Sequence, residues 1–569
     1  AAGFMSFVSQ GHEFLIFFAI VLSAYSIAGR YLSASAGHRV QNLLLVSASY
    51  VFYGWWDVRL LLLIVISTVV DFCAGLMIER GELTRRQRCL STLALPLAAV
   101  CFIGLDWNAV FAADSISVGL AAVFENAPLV SGGGLAQWIV GGSLLAVLAG
   151  NLLYPILTSL PEQRCRRVFL VASVVANLGI LGLFKYFNFF AESLVELAGM
   201  AGVTLDTPTL EILLPVGISF YTFQTMGYTI DVYRGRVKPV DRFSDFMLYV
   251  CFFPQLVMGP IERAAQLLPQ ITSPRKVRLD QLTSGTLLAV WGYFKKAVIA
   301  DNVAVIVDQT FSDPSPPGSM VVLATYAFAI QIYCDFSGYT DIGRGIARML
   351  GIELRLNFRL PYFATTPGDF WQRWHISLSS WLRDYLYIPL GGNRDGERKM
   401  YRNLILTMLL GGLWHGAAWN FVLWGAYHGL LLILFRVLAT PAAHRELAAD
   451  GTSRRRAGAK FWLKAFLFFQ LTCVGWLLFR SASLEQLSHF AWAIFANPSL
   501  ESVTLRDLIT ISACSLPLLI VQLIQHSRDD QEFWTNWSLV AQATAGLVVY
   551  YGIIFLQAPK TYPFIYFQF

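Results

Sequence analysis

Apolar segments separated by short polar connections recur along the whole chain. They lie at about 14–28, 40–53, 60–78, up to 105, 138–160, 168–187, 215–230, 284–300, 320–334, 413–430, 461–479, 508–525 and 538–557. Most approach the roughly 20 residues a helix needs to cross a bilayer, and none has the short alternating pattern of a membrane β-barrel strand. The pattern predicts an all-α polytopic membrane protein, a single integral domain with about eleven to thirteen transmembrane helices. The stretch 243–263 is apolar but interrupted by Pro254, Gly259 and Pro260, which suits a re-entrant or kinked segment. Residues 264–283 read as an amphipathic, basic segment lying on the membrane surface, and 191–210 as an outer loop. Ala1–Phe4, ahead of Met5, read as a cloning remnant. No Lys or Arg precedes the first apolar run, so it reads as a retained helix and not a signal peptide.

Composition agrees: of 569 residues 56% are hydrophobic and 14% charged, where soluble domains carry about a quarter charged residues. The net charge of +6 sits in loops and reads as topology, not as nucleic-acid binding. Basic clusters at 30–39, 79–88, 162–167 and 234–242 alternate with non-basic connections, including the acidic segment 106–137. The positive-inside rule puts the basic loops in the cytoplasm and the N-terminus outside. The eight cysteines are scattered without a CxxC and read as buried small hydrophobes.

Candidate chemistry centres on 371–429, where His375 and His415 lie in aromatic surroundings on either side of the charged loop 394–402. An intramembrane histidine is costly unless it has a partner or a task. Read as one helix, 413–430 places His415, Trp419, Val422, Ala426 and Gly429 on one face. His428 falls on another face and reads as structural. The same wheel puts Trp371, Ser379, Leu382 and Leu386 with His375. Helices joined by a short loop tend to be neighbours, so the two imidazoles are expected to converge. Such a pair suits general-base catalysis, a proton relay, or hydrogen bonding between helices; a metal site lacks a third ligand. Asp341 and Arg344 have the spacing of a helical ion pair, read as structural.

The wording of several segments resembles the membrane-bound O-acyltransferase (MBOAT) family, in its bacterial branch typified by the alginate O-acetylation membrane protein. These are YVFYGWWD at 50–57, LGLFKYFNFF at 181–190, LPVGISFYTFQTMGYTIDVYRG at 214–235 and FFPQLVMGPIERAAQLLPQI at 252–271. They continue with 334–394, from CDFSGYTDIGRG through DFWQRWHISLSSWLRDYLYIPLGGNR, then LTMLLGGLWHGAAWNFVLWGAYHG at 406–429 and FIYFQF at 564–569. The resemblance implies a funnel-shaped helical bundle in the bacterial inner membrane. It implies an acetyltransferase that takes an acetyl group from a cytoplasmic thioester such as acetyl-CoA, with no bound cofactor. The group passes outward to an exopolysaccharide such as alginate, through a periplasmic acetyltransferase partner. It marks His415 as the catalytic histidine and His375 as its partner. Trp414, Trp419, Trp381, Ser379 and Asn420 become candidate cavity-lining residues, and Arg263, Arg278 and Lys295 candidate donor-binding residues. Against the family pattern, 89–160 reads as an inserted helix pair with an outer loop. The segments 1–88, 168–436 and 461–569 read as N-terminal helices, catalytic core and C-terminal helices. Transfer of D-alanine, an acceptor such as teichoic acid, peptidoglycan or cellulose, and a non-catalytic conduit for a periplasmic enzyme remain alternatives.

Overall fold

The computed structural model describes residues 12–105, 107, 134–206, 209, 210, 214–256, 259–438 and 458–565. Most of the acidic segment 106–137, the basic run 454–456 and the terminal residues 566–569 lie outside the described residues. Every regular element among the described residues is helical. Ten helices are long and apolar enough to cross a bilayer.

α1 (His12–Tyr31) and α2 (Ala34–Gly54) form a hairpin that leads through an aromatic turn into α3 (Leu61–Arg80). α4 (Arg85–Ala99) and α5 (Gly134–Thr158) pack on each other at the periphery, over a small apolar cluster that they share with Leu62 and Val65 of α3. α6 (Glu162–Leu181) runs through a π-helical turn, Gly182–Tyr186, into α7 (Phe187–Met200). The helix therefore continues to Met200 where the sequence suggested an outer loop from 191. α8 (Ile218–Tyr233) is interior and packs on α3 and α6. The interrupted stretch is broken, as its prolines require: α9 (Phe243–Cys251) is nine residues long, too short to span, and α10 (Ala264–Thr272) follows irregular chain.

α11 (Leu279–Phe294) continues through a π-helical turn, Lys295–Ala300, into α12 (Asp301–Ser312). α13 (Gly318–Met349) is a single 32-residue helix carrying both Asp341 and Arg344. α11 and α13 cross backbone to backbone: a Cβ on Gly292 would lie 2.6 Å from the Gly338 carbonyl, and one on Gly285 2.6 Å from that of Gly345. Two short helices, α14 (Pro367–Arg373) and α15 (Ile376–Leu382), lead to α16 (Glu397–His415) and α17 (Trp419–Leu438). α18 (Ala459–Arg480), α19 (Leu484–Ala496, absent from the sequence reading), α20 (Leu505–Arg528) and α21 (Leu539–Leu556) complete the bundle. Burial ranks these layers: 78% of the span containing α3 and 67% of α13 is buried, against 11% for α5, α20 and α21.

Contacts gather the basic connections on one face. Arg80 pairs with Asp241 at 2.5 Å, Asn42 donates to Asp245, Arg166 donates to the Tyr233 carbonyl, and Tyr25 Oη donates to the Leu350 carbonyl. Arg275, read from sequence as lying on the membrane surface, is buried there, donating to Tyr25 Oη and to the Ile271 carbonyl. These charge-assisted hydrogen bonds offset the cost of taking the guanidinium out of water.

Candidate active site

His375 occupies the break between α14 and α15. Its backbone is left-handed (φ 44, ψ 53), which costs a non-glycine residue about 1–2 kcal/mol. The wheel that placed it on a continuous helix with Trp371 and Ser379 does not apply. Asn357 sustains the break. Its carbonyl accepts Ile376 N–H at 2.9 Å, and its Oδ1 accepts Ser377 N–H (3.2 Å), Ser377 Oγ (2.9 Å) and the His375 ring at Nδ1 (3.2 Å). A backbone N–H can only donate, so the Asn357 atom facing it is the oxygen and His375 Nδ1 carries the proton. In the neutral ring Nε2 is then the acceptor. Ser377 Oγ in turn accepts Ile261 N–H at 3.0 Å, tying this corner to the broken stretch after α9.

His415 is the last residue of α16. Gly416 is extended and α17 begins only at Trp419, so 413–430 is two packed helices and the single-helix wheel fails here as well. Glycines set their separation: a Cβ on Gly412 would lie 2.2 Å from the Phe421 carbonyl, and one on Gly425 2.2 Å from that of Met408. Three last-turn carbonyls of α16 are held from the π-helical turn after α6. Lys185 Nζ donates to Trp414 O (2.7 Å) and His415 O (3.1 Å), and Tyr186 Oη to Leu413 O (3.0 Å).

The two imidazoles meet. Their ring centroids are 6.4 Å apart, edge to face, and both residues are buried, His375 at 0% and His415 at 3% exposure. Trp414 touches both, at 5.8 and 5.2 Å; Phe336 packs edge-on to His375 at 4.7 Å and Trp424 to His415 at 5.0 Å.

A small polar pocket lies behind Phe358, whose ring is 6.5 Å from that of His375; it is lined by Lys295, Tyr333, Ser337, Asp341 and Gln522 among others, and by neither histidine. Its charges are internally matched. Lys295 pairs with Asp341 (2.7 Å), Arg344 with Asp341 (3.5 Å) and Glu532 (2.6 Å), and Arg348 with Glu532 (2.5 Å). Of the three candidate donor-binding cations only Lys295 lines it. Arg263 pairs with Asp384 over the Tyr385 ring, and Arg278 pairs with Asp280 at the surface.

The other candidates scatter. Trp381 stacks on Phe223 at 3.9 Å and donates to its carbonyl, one ring away from Trp414. Trp419 is 53% exposed and packs on Phe189, away from the histidines. Ser379 Oγ donates to Trp374 O, and Asn420 pins α17 to the end of α18 through Ser481 O. His428 is buried beside Trp424 and Trp371. Asn357, Lys185 and Tyr186 escaped the sequence reading. Only Lys185 carried a signal, a cation inside an apolar run. Among the described residues no three His, Cys, Asp or Glu side chains gather as a metal site would.

A model of the membrane-bound O-acyltransferase family matches residues 241–478, which hold both histidines. The chain is 35% identical over 460 residues to "Probable alginate O-acetylase AlgI" of Pseudomonas aeruginosa, covering 81% of this chain and 70% of that protein. It is 33% identical over 587 residues to the like-named protein of Pseudomonas putida, covering 99% of this chain and 100% of that one. It is also 31% identical to a peptidoglycan O-acetyltransferase of Helicobacter pylori, covering 75% of this chain and 88% of that one.

Proposed function

As the chain belongs to the membrane-bound O-acyltransferase family, a multi-pass enzyme that uses an acyl donor, we propose that it acetylates an envelope polysaccharide from a thioester supplied at its basic face, with His415 as general base. His415 takes the proton of the acceptor hydroxyl as that oxygen attacks the thioester carbonyl. Collapse of the tetrahedral adduct breaks the C–S bond, and the departing thiolate takes the proton back from His415. His375 orients a reacting group. With Nδ1–H committed to Asn357 its Nε2 accepts, which suits holding a hydroxyl or an amide N–H and not an oxyanion. The dry aromatic surround protects the acyl group from water.

The observation that carries this reading is the meeting of His375 and His415, both buried among aromatic side chains, from segments that run separately in the chain. The positive-inside rule supports reading the basic face as the cytoplasmic one, with the N-terminus outside, as in an inner-membrane protein. α16 is 19 residues, about 28 Å, long, so His415 lies most of a bilayer away from the loop at 388–396 that begins on the basic side; this favours an acceptor arriving from outside. The relatives' names favour alginate or a similar exopolysaccharide, with peptidoglycan as the second candidate; a periplasmic acetyltransferase as the route to it is what the family resemblance implies.

The test is acetylation of the cell's polymer by a strain carrying His415→Ala at wild-type membrane levels. Loss of a general base is expected to lower it about 10²- to 10⁴-fold. Normal acetylation would falsify the assignment. Acetyl and D-alanyl thioesters offered to the purified protein decide which acyl group it takes.

A further inference from the structure

The mechanism uses both histidines but not the buried cation behind one of them. We propose that Lys185 is a positioning residue: its ammonium, with the Tyr186 hydroxyl, clamps the end of α16 and so fixes the direction of the His415 ring. The inference rests on the catalytic reading of His415 given above.

The last four carbonyls of a helix have no partner within it. α16 leaves them in an unusual position, because Gly416 is extended (φ −161, ψ 151) and the chain departs without a left-handed cap. The carbonyls of Leu413, Trp414 and His415 face the π-helical turn after α6. Two consecutive side chains from another helix take all three. Consecutive residues of an α-helix point 100° apart and would not share this task. The π-helical turn Gly182–Tyr186 widens the helix where Lys185 and Tyr186 emerge, and such turns recur at functional sites. The choice of lysine follows from its chemistry. It has three donors and a positive charge, which the negative end of the α16 dipole favours. The His415 carbonyl is itself one of the bonded groups, so rotation of the last turn is opposed at the residue that carries the imidazole. Gly416 closes the other side, where an added Cβ would lie 2.1 Å from the Phe421 ring. The clamp and this wall together leave His415 one orientation.

The test compares wild type, Lys185→Met, Lys185→Arg and Tyr186→Phe, each full length in lipid nanodiscs, by steady-state transfer from acetyl-CoA and by thermal melting. A wild type and a His415→Ala variant with equal turnover would overturn the function, independently of the clamp. With wild type active and His415→Ala inactive, Lys185→Met is expected to lower kcat about 30- to 100-fold, since misplacement near 1 Å costs about that much. KM for acetyl-CoA should stay within about 2-fold, and the melting temperature should fall only modestly, leaving the protein folded at the assay temperature. Lys185→Arg, which keeps charge and donors, is expected to restore most of kcat. A Lys185→Met enzyme with wild-type kcat, or one altered only in KM, would overturn the proposal. If Lys185→Met does not fold, Tyr186→Phe decides. It removes one of the three bonds and keeps the ring, so a several-fold fall in kcat at constant KM supports the clamp and an unchanged kcat rejects it.

Discussion

Asn357→Ala is the most informative single change to the His375 side of the site. The alanine removes the acceptor for Ser377 N–H, Ser377 Oγ and His375 Nδ1–H, in a place where Asn357, His375 and Ser377 are all at 0% exposure. A buried donor left without a partner costs about 1–3 kcal/mol. Ser377 Oγ can turn elsewhere; the backbone N–H cannot, and the ring N–H can only by swinging the imidazole out of its packing, giving roughly 2–6 kcal/mol from those two. The left-handed backbone of His375, worth a further 1–2 kcal/mol, also loses its support. Because the terms share one site they do not add fully, so a loss of about 3–5 kcal/mol is expected. Unfolding of the reconstituted protein in SDS, followed by tryptophan fluorescence, measures it. Asn357→Asp keeps an acceptor at the same place and is expected to retain more stability than the alanine. Freed of its anchor, the His375 ring samples other rotamers, and kcat should fall on the order of 10- to 100-fold. Asn357→Ala with stability within about 1 kcal/mol of wild type and unchanged kcat would refute the argument that this amide builds the break and sets the tautomer.

The remaining predictions probe other parts of the site. Gly425→Ala drives a Cβ to 2.2 Å from the Met408 carbonyl and should force α16 and α17 apart, lowering stability by about 1–3 kcal/mol and turnover with it; Gly142→Ala, with open space around it, should be neutral or slightly stabilising in the same melts. Trp414→Ala removes the ring that touches both histidines and should nearly abolish transfer, while Trp419→Ala, on the exposed side, should leave kcat within about 2-fold. In the loop before α21, burial raises the Glu532 carboxyl, and the charges and hydrogen bonds of Arg344 and Arg348 outweigh it, leaving it below its ordinary value. Its contribution is therefore fully present above the unfolded value of about 4.3 and is lost as pH falls through the lower folded value. Glu532→Gln should cost about 1–3 kcal/mol at pH 7, and the gap from wild type should close between about pH 5 and 3 in melting curves.

The sequence made the membrane character and the two histidine segments legible because hydropathy and intramembrane polarity are local properties. Each span candidate could be read in a window of about 20 residues, and His375 and His415 stood out as polar groups where lipid-facing chain has none. What the pattern could not carry was the interruption of a helix at the functional residue. Nothing in 413–430 breaks helical periodicity, because Gly416 and the two alanines after it are as compatible with a packed helix as with a turn. The break becomes visible only when Lys185, more than two hundred residues earlier, is seen to satisfy the carbonyls that a continuing helix would have used. The same holds at 374–375. An α-helix through His375 is locally reasonable, and only the amide of Asn357, presented from a loop, stabilises the alternative.

Both candidate catalytic residues thus sit where regular structure stops, and the reason is chemical. A histidine in mid-helix presents its ring to whatever groove the helix packs into, and its backbone is consumed by its own ladder. At a helix end or in a left-handed junction the ring can be aimed independently of helix packing, but the freed backbone groups then need partners, because water does not supply them inside the bundle. Here each break has its own dedicated donor or acceptor: Lys185 and Tyr186 for the carbonyls ending at His415, and Asn357 for the N–H groups following His375. It follows that changes at these three residues should lower turnover far more than an equal loss of stability placed elsewhere. Gly285→Ala at the α11–α13 crossing is the comparison. Its Cβ would meet the Gly345 carbonyl at 2.6 Å, so stability is expected to fall while the protein that remains folded keeps wild-type kcat. Equal losses of kcat per unit of stability at Gly285 and at Asn357 would mean that the breaks are ordinary parts of the scaffold.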